Sequence, residues 1–418
     1  MPNHFQNTHT IVDTSAPLSL IAPNGYYEVG NKIFNYKIHA LQEGSRTGLP
    51  VHWNFNDEVF NNFNWTKRLN IPLLELYRMR AQQIRQKYKW ISLLWSGGAD
   101  STAMMESFLD NNIHLDEVVV LWPTSMSAGK YTPKWDRSRF NMMSEWDLTI
   151  KPGIERLQAK YPKLQITVVD TFEKPPTDED REDTAIIVEK HSYGTIQKYR
   201  ALDALLKQRV EKYDSVGTVV GSSPVELRIL NNRFLATFFS DIAAYPASKT
   251  DITLDGWVRN MEFFYWSPEF PELIAKQAHV ILDHINLVPK SRIFINQFSM
   301  DKNRVLQKTH ASDSEHYRQF RKSLLYPNYP LDTFQVNKPE ITHINHDWEN
   351  WFHDNPHSEE FLTAYQSAIA SQQSQINERF MIRKHGRFAY YKTFFSKLHI
   401  VGQLSEVTET VQHSSMII

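Results

Sequence analysis

Trp90-Ile91-Ser92-Leu93-Leu94-Trp95-Ser96-Gly97-Gly98-Ala99-Asp100-Ser101, continued by Thr102-Ala103-Met104-Met105-Glu106-Ser107-Phe108-Leu109, is the stretch on which the reading of this chain turns. Residues 90 to 95 are a short, mostly apolar run, the pattern of a strand buried in a parallel sheet. Ser96-Gly97-Gly98 breaks that run. Two consecutive glycines let backbone amides turn toward a ligand with no Cβ in the way. From Ser101 onward the apolar residues 103, 104, 105, 108 and 109 suit one face of a helix, with Asp100 or Ser101 as its N-cap. Strand, glycine turn and helix N-terminus together make a phosphate-binding geometry. Unpaired amides and the positive end of the helix dipole converge on one spot.

Working outward, residues 72 to 88 carry Pro72 at the start and apolar positions at 73, 74, 77, 81 and 84, which predicts an amphipathic helix leading into the first strand. Glu117-Val-Val-Val-Leu-Trp122 reads as a second buried strand, ended by Pro123-Thr124-Ser125. Residues 140 to 160 read as a helix, 164 to 170 as a third strand and 195 to 213 as another helix. Residues 214 to 224 read as a fourth strand ending in Gly221-Ser222-Ser223. Strands alternating with helices predict an α/β fold with a doubly wound parallel sheet. Ligands in such sheets sit beyond the carboxyl ends of the strands, so Leu121 to Ser125 should border the pocket.

Ser96-Gly97-Gly98-Ala99-Asp100-Ser101 resembles the SGGxDS signature of the PP-loop, or N-type ATP pyrophosphatase, family, in the strand-before, helix-after context that the motif needs. The resemblance covers roughly 85 to 235 and implies an adenine nucleotide alpha-hydrolase-like (HUP) domain. It implies cleavage of ATP between its α and β phosphates, with adenylation of an acceptor oxygen and release of pyrophosphate. On this resemblance Ser96, Gly97, Gly98, Ser101 and Thr102 hold the outer phosphates, with Ala99 and Asp100 in the same loop. Asp100, Ser96 and Ser101 are the catalytic candidates, and Asp100 also takes Mg2+. Leu121 and Trp122 cradle adenine through backbone groups, and Gly221 and Ser222 face the nucleotide. The acidic or amide residues usual after that last glycine are missing here. Ser222, Ser223 and Glu226 are the only substitutes, so a second magnesium ligand is not assigned.

Composition narrows the chemistry. A chain of 418 residues with 41% hydrophobic and 13% aromatic residues folds around a large core, in two domains more readily than one. Its formal net charge of -1 gives no general attraction to nucleic acid or anionic membrane, though a local basic groove remains open. No run has the length of a membrane-spanning helix and the polar start is unlike a signal peptide, so the expected location is cytoplasmic. There is no cysteine. Disulfides, cysteine zinc sites, iron–sulfur clusters and thiolate nucleophiles are therefore excluded. PP-loop branches that thiolate tRNA, form deazaguanine nitriles or reduce phosphoadenylylsulfate use such groups. What remains is activation followed by attack of nitrogen, as in the asparagine synthetase, NAD synthetase, argininosuccinate synthase and tRNA-lysidine branches.

The flanks are less informative. Residues 1 to 84 read as a loose arm followed by a small α+β region, with a hairpin at Gly30-Asn31 and a short helix near 37 to 43. Lys130, Lys134, Arg137 and Arg139 follow the second strand and could offset charge on departing pyrophosphate, or form a solvated basic loop. Residues 236 to 418 read as a mostly helical C-terminal region that would choose the acceptor, with a helix start at Ser267-Pro268-Glu269. His343, His346, His353 and His357 lie at spacings that could share a metal, yet the interleaved aromatics suit a packed segment equally well. The flanks resemble uncharacterised PP-loop proteins of large tailed bacteriophages.

The expected activity is thus an AMP-forming ligase using ATP and Mg2+, a small-molecule or modified-base acceptor, and ammonia or an amine donor. Two other readings stay open. One is a phosphoadenylylsulfate-reductase-like nucleotide binder without cysteine chemistry; the other is a non-catalytic nucleotide-binding module.

Overall fold

The structure, a computed structural model, describes residues 25–34, 43–44, 46–49, 51–122, 124, 145–171, 193–221, 224–240, 261–288, 320–328, 381–384, 387–389 and 394–403. In chain order, β1 (Tyr26–Val29), β2 (Lys32–Phe34) and β3 (Val51–Asn54) form a small antiparallel sheet ordered β2-β1-β3. The β1–β2 turn places Gly30 at φ 61°, as the expected hairpin needs. The helix expected near 37 to 43 lies largely outside the described residues. After α1 (Asp57–Asn62) comes α2 (Leu73–Lys87), which buries Leu73, Leu76, Tyr77, Ala81 and Ile84. That i, i+3, i+4 spacing is the reason it packs as one amphipathic face.

The main sheet is built from β4 (Trp90–Leu94), β5 (Glu117–Trp122), β6 (Gln165–Asp170), β7 (Val216–Val220) and, further along, β11 (Met261–Phe263). Its order is β11-β7-β4-β5-β6 and every pairing is parallel. Parallel neighbours need crossovers, supplied by α3 (Ala99–Leu109), α4 (Lys151–Lys160, entered through a π-turn at Trp146–Ile150) and α5 (Tyr193–Lys212). The chain lays down β4, β5 and β6 in one direction, then returns to place β7 and β11 on the other side of β4. The reversal falls at β4, and the carboxyl end of the strand at such a switch point is where doubly wound sheets hold their ligands.

Alternation along β5 shows both faces covered. Val118 and Val120 enter the large core with Met104, Phe108 and Ile84, whereas Val119 packs with Leu202, Leu205 and Leu206 of α5. Each such valine contributes roughly 1.5 kcal/mol or more by leaving water. A fully buried charge closes the amino end. Glu117 accepts from Arg209 at 2.7 and 3.0 Å, from Ser92 Oγ at 2.9 Å and from Gln165 at 2.9 Å, with Thr167 as a further donor. Burial pushes its pKa upward, but these donors outweigh that and hold the carboxyl below its usual range.

Beyond β7 the chain forms β8 (Glu226–Leu230), β9 (Arg233–Thr237) and β10 (Phe239–Ser240), and after β11 comes α6 (Pro271–Leu287). The helix start expected at Ser267 is corrected to Pro271, because Ser267 Oγ accepts the Glu269 amide in a turn before the helix. The strands β12 (Met381–Lys384), β13 (Arg387–Ala389), β14 (Phe394–Phe395) and β15 (His399–Gln403) follow. β15 pairs antiparallel with β9, and β14 with β10. Past residue 236, where helices were expected, the described residues therefore hold strands as well, and one of them is an edge of the main sheet. These short strands lack the periodic run that would have marked them. Among the described residues no helix is long and apolar enough to cross a membrane.

Candidate functional site

The expected loop stands at the carboxyl end of the central strand. Trp95 still belongs to the sheet by its amide, which donates to the Val119 carbonyl at 2.9 Å. Gly97 then takes φ 76°, a left-handed conformation that a side chain resists. The place a Cβ would occupy is also filled, since Thr149 Cγ2 of the π-turn would lie 2.9 Å from it. Gly97 is required twice over.

Helix α3 begins two or three residues earlier than expected. Gly98, at φ -77° and ψ 166°, is the N-cap, so Asp100 and Ser101 sit in the first turn and do not cap it. The first intrahelical-type bond runs from the Thr102 amide to the Gly98 carbonyl at 3.0 Å. Amides of an opening helical turn have no partner inside the helix. Those of Gly97, Gly98, Ala99 and Asp100 have no hydrogen-bond acceptor among the described residues.

Side chains brace this bend. Buried Ser101 Oγ donates to the Gly98 carbonyl at 3.2 Å, accepts the Ser96 amide at 3.2 Å and lies 3.2 Å from Ser96 Oγ. Thr102 Oγ1 accepts from Trp95 Nε1 at 3.0 Å. Ser101 and Thr102 thus shape the loop, while Ser96 is exposed at its outer edge. The Asp100 carboxylate makes no hydrogen bond or ion pair among the described residues, so its lone pairs are available to a cation.

Gly221 arrives from the end of β7. A Cβ there would lie 3.1 Å from Ser101 Cα and 3.2 Å from Ser101 N, so the strand end runs directly against the helix backbone. The two glycine segments that the sequence singled out are therefore side by side. Ser222, Ser223, the basic residues between 130 and 139 and the histidines between 343 and 357 lie outside the described residues.

At β5, the last pair with β4 is Leu94–Val119, and Val120, Leu121 and Trp122 continue past it at the carboxyl edge of the sheet. The side chain of Leu121 turns to the α5 cluster. Trp122 is buried, stacks on Trp146 with ring centroids 6.2 Å apart, and its Nε1 has no partner among the described residues. Its carbonyl accepts the Thr171 amide at 3.0 Å. The indole is a core ring in this arrangement.

Tyr265 and Thr149 also belong to the neighbourhood, and no motif announced them. Tyr265 Oη donates to the Asp100 carbonyl at 2.5 Å. Asp147, in the π-turn that supplies Thr149, has a buried Oδ2 with no hydrogen-bond partner among the described residues. These residues come from remote segments, and only the folded sheet brings Thr149 and Tyr265 against the loop. No protein-family model matches the chain, and no curated protein matches it.

Proposed function

We propose that the chain cleaves ATP to AMP and pyrophosphate at the Ser96–Thr102 loop and passes the AMP group to an acceptor oxygen. The observation that carries this reading is the set of amides from Gly97 to Asp100 at the end of the central strand, next to the Asp100 carboxylate, all without a hydrogen-bond partner among the described residues. Amides without acceptors, at the positive end of α3, suit phosphate oxygens. Asp100 suits Mg2+, which when bound would neutralise charge on the outer phosphates.

Ser96 Oγ and the amides would hold the β and γ phosphates, leaving the α phosphorus open at the carboxyl edge of the sheet. The acceptor oxygen attacks that phosphorus, the bond to the bridging oxygen breaks, and its electron pair leaves with pyrophosphate. A nitrogen nucleophile then attacks the activated carbon and AMP departs with the acceptor oxygen. With no cysteine in the chain, the nucleophile is ammonia or an amine. The cleavage takes place in the cytoplasm on this reading.

Product analysis tests it. ATP and Mg2+, incubated with the protein and a fractionated cell extract, should yield AMP and pyrophosphate in equal amounts. ADP and phosphate as the only products would reject the mechanism. Binding of a sulfated nucleotide with no ATP cleavage would favour the phosphoadenylylsulfate-type reading instead.

A further inference from the structure

Beside the loop, on the flank of α3, lies a cavity of about 210 Å³ between α2, α3 and residues 320–328. Ala103, Glu106, Ser107 and Asp110 line it at helical spacing, and Asp100 falls on the same stripe one turn earlier. Tyr77 and Tyr326 form apolar walls. Each is 2% exposed and its hydroxyl has no hydrogen-bond partner among the described residues; the Tyr326 ring lies against that of Tyr265, centroids 5.6 Å apart.

The charge around the cavity is one-sided. Among its lining residues Glu75, Glu106 and Asp110 are acidic and none is basic. Two of the three carboxylates are satisfied from outside. Glu75 holds Arg78 at 2.6 Å, and Asp110 accepts from Lys160 and from Tyr161, each at 3.0 Å. Glu106 makes no hydrogen bond or ion pair among the described residues, although it is half-buried. A buried carboxylate without a partner is costly, and a cation is the ligand that removes the cost. Aromatic faces beside it add to the attraction for an ammonium group.

We propose that this cavity binds a small primary amine, with its ammonium group on the Glu106 carboxylate and its carbon chain against Tyr77 and Tyr326. A bare divalent metal fits less well, because no group of three ligating side chains converges among the described residues. Binding is independent of ATP cleavage. Use of the amine as the nitrogen nucleophile deepens the proposed function and rests on it.

Protonation gives the site a pH signature. Burial, reinforced by the neighbouring Asp110 carboxylate and opposed by Lys160, raises Glu106 to about 7. The other titratable groups near it are Glu75 of α2, itself paired with Arg78, and the hydroxyls of Tyr77, Tyr326 and Tyr265. An alkylammonium stays charged throughout the neutral range, so its affinity should increase between pH 6 and pH 8 as Glu106 ionises.

The test is a ligand-observed NMR titration of the full chain with n-butylamine and with 1-butanol, no nucleotide present. Saturable binding of butylamine, none of butanol, and at least a tenfold loss in Glu106→Gln are expected. Ala103→Leu, which fills the cavity from the helix side, should abolish the same signal. Equal binding of the alcohol, no saturable binding of the amine, or unchanged affinity in either variant would overturn the proposal. AMP release is assayed separately. Its absence alongside intact amine binding would reject the proposed reaction and leave the amine site standing.

Discussion

Tyr265 Oη reaches the backbone carbonyl of Asp100 at 2.5 Å, tying the segment after the edge strand β11 to the first turn of the helix that carries the loop. The bond spans 165 residues of chain. Tyr265→Phe removes one hydrogen bond while keeping the ring. Urea unfolding should show a loss of about 1 kcal/mol, and a variant as stable as the parent would show that the bond contributes nothing.

Gly221→Ala tests the contact between the two glycine segments. The added carbon meets only backbone at 3.1–3.3 Å, and backbone cannot rotate away as a side chain can. A destabilisation of about 1–3 kcal/mol is expected, with AMP formation reduced as α3 is displaced. Calorimetry and product assay on one sample measure both.

Asp100→Asn separates chemistry from folding. The carboxylate has no partner among the described residues, and only its interaction with the helix dipole is lost. Stability should fall by at most about 1 kcal/mol. AMP formation should drop ~100-fold or more, as when a group that stabilises transition-state charge is removed. Unimpaired turnover would move the active site elsewhere.

Arg209→Met strands Glu117 in the sheet. Removing one partner of a buried pair costs about 3–5 kcal/mol. The native Glu117 is held below its unfolded pKa, so its stabilisation is present above the unfolded value and is lost as pH falls through the folded one. The gap between parent and variant should therefore narrow in acid. A gap independent of pH would point to packing alone.

Glu106 behaves in the opposite sense. Its folded pKa of about 7 exceeds the ordinary 4.5, so between those values the native state keeps a proton that the unfolded chain has released. Stability from this group declines as pH rises through that window, and above it the ionised carboxylate is a standing cost. Glu106→Gln should leave the melting temperature nearly unchanged at pH 4 and raise it at pH 8. A variant no more stable than the parent at pH 8 would contradict the burial argument.

Local pattern sufficed for the strand at Trp90–Leu94, the valine run at Glu117–Trp122 and the amphipathic helix before them, because buried strands and helix faces each impose a short period on consecutive residues. The loop was legible for the same reason: small residues between an apolar run and a helix leave few other conformations. The N-cap was misplaced by two or three residues, since Asp100 and Ser101 have capping side chains but the tertiary bend hands that position to Gly98. The edge strand Met261–Phe263 could not be read at all. It has only three residues, and its pairing with β7 supplies what its own sequence does not.

The sequence by itself determined an alternating α/β chain with a glycine bend after its first core strand, because periodicity and backbone freedom are properties of neighbouring residues. Tertiary structure alone decided the strand order, the approach of Gly221 to Ser101, the seating of Tyr265 on Asp100 and the lack of a partner for Glu106 among the described residues. Each of these depends on which distant segments share a surface, and burial and hydrogen-bond satisfaction are settled only when those surfaces meet.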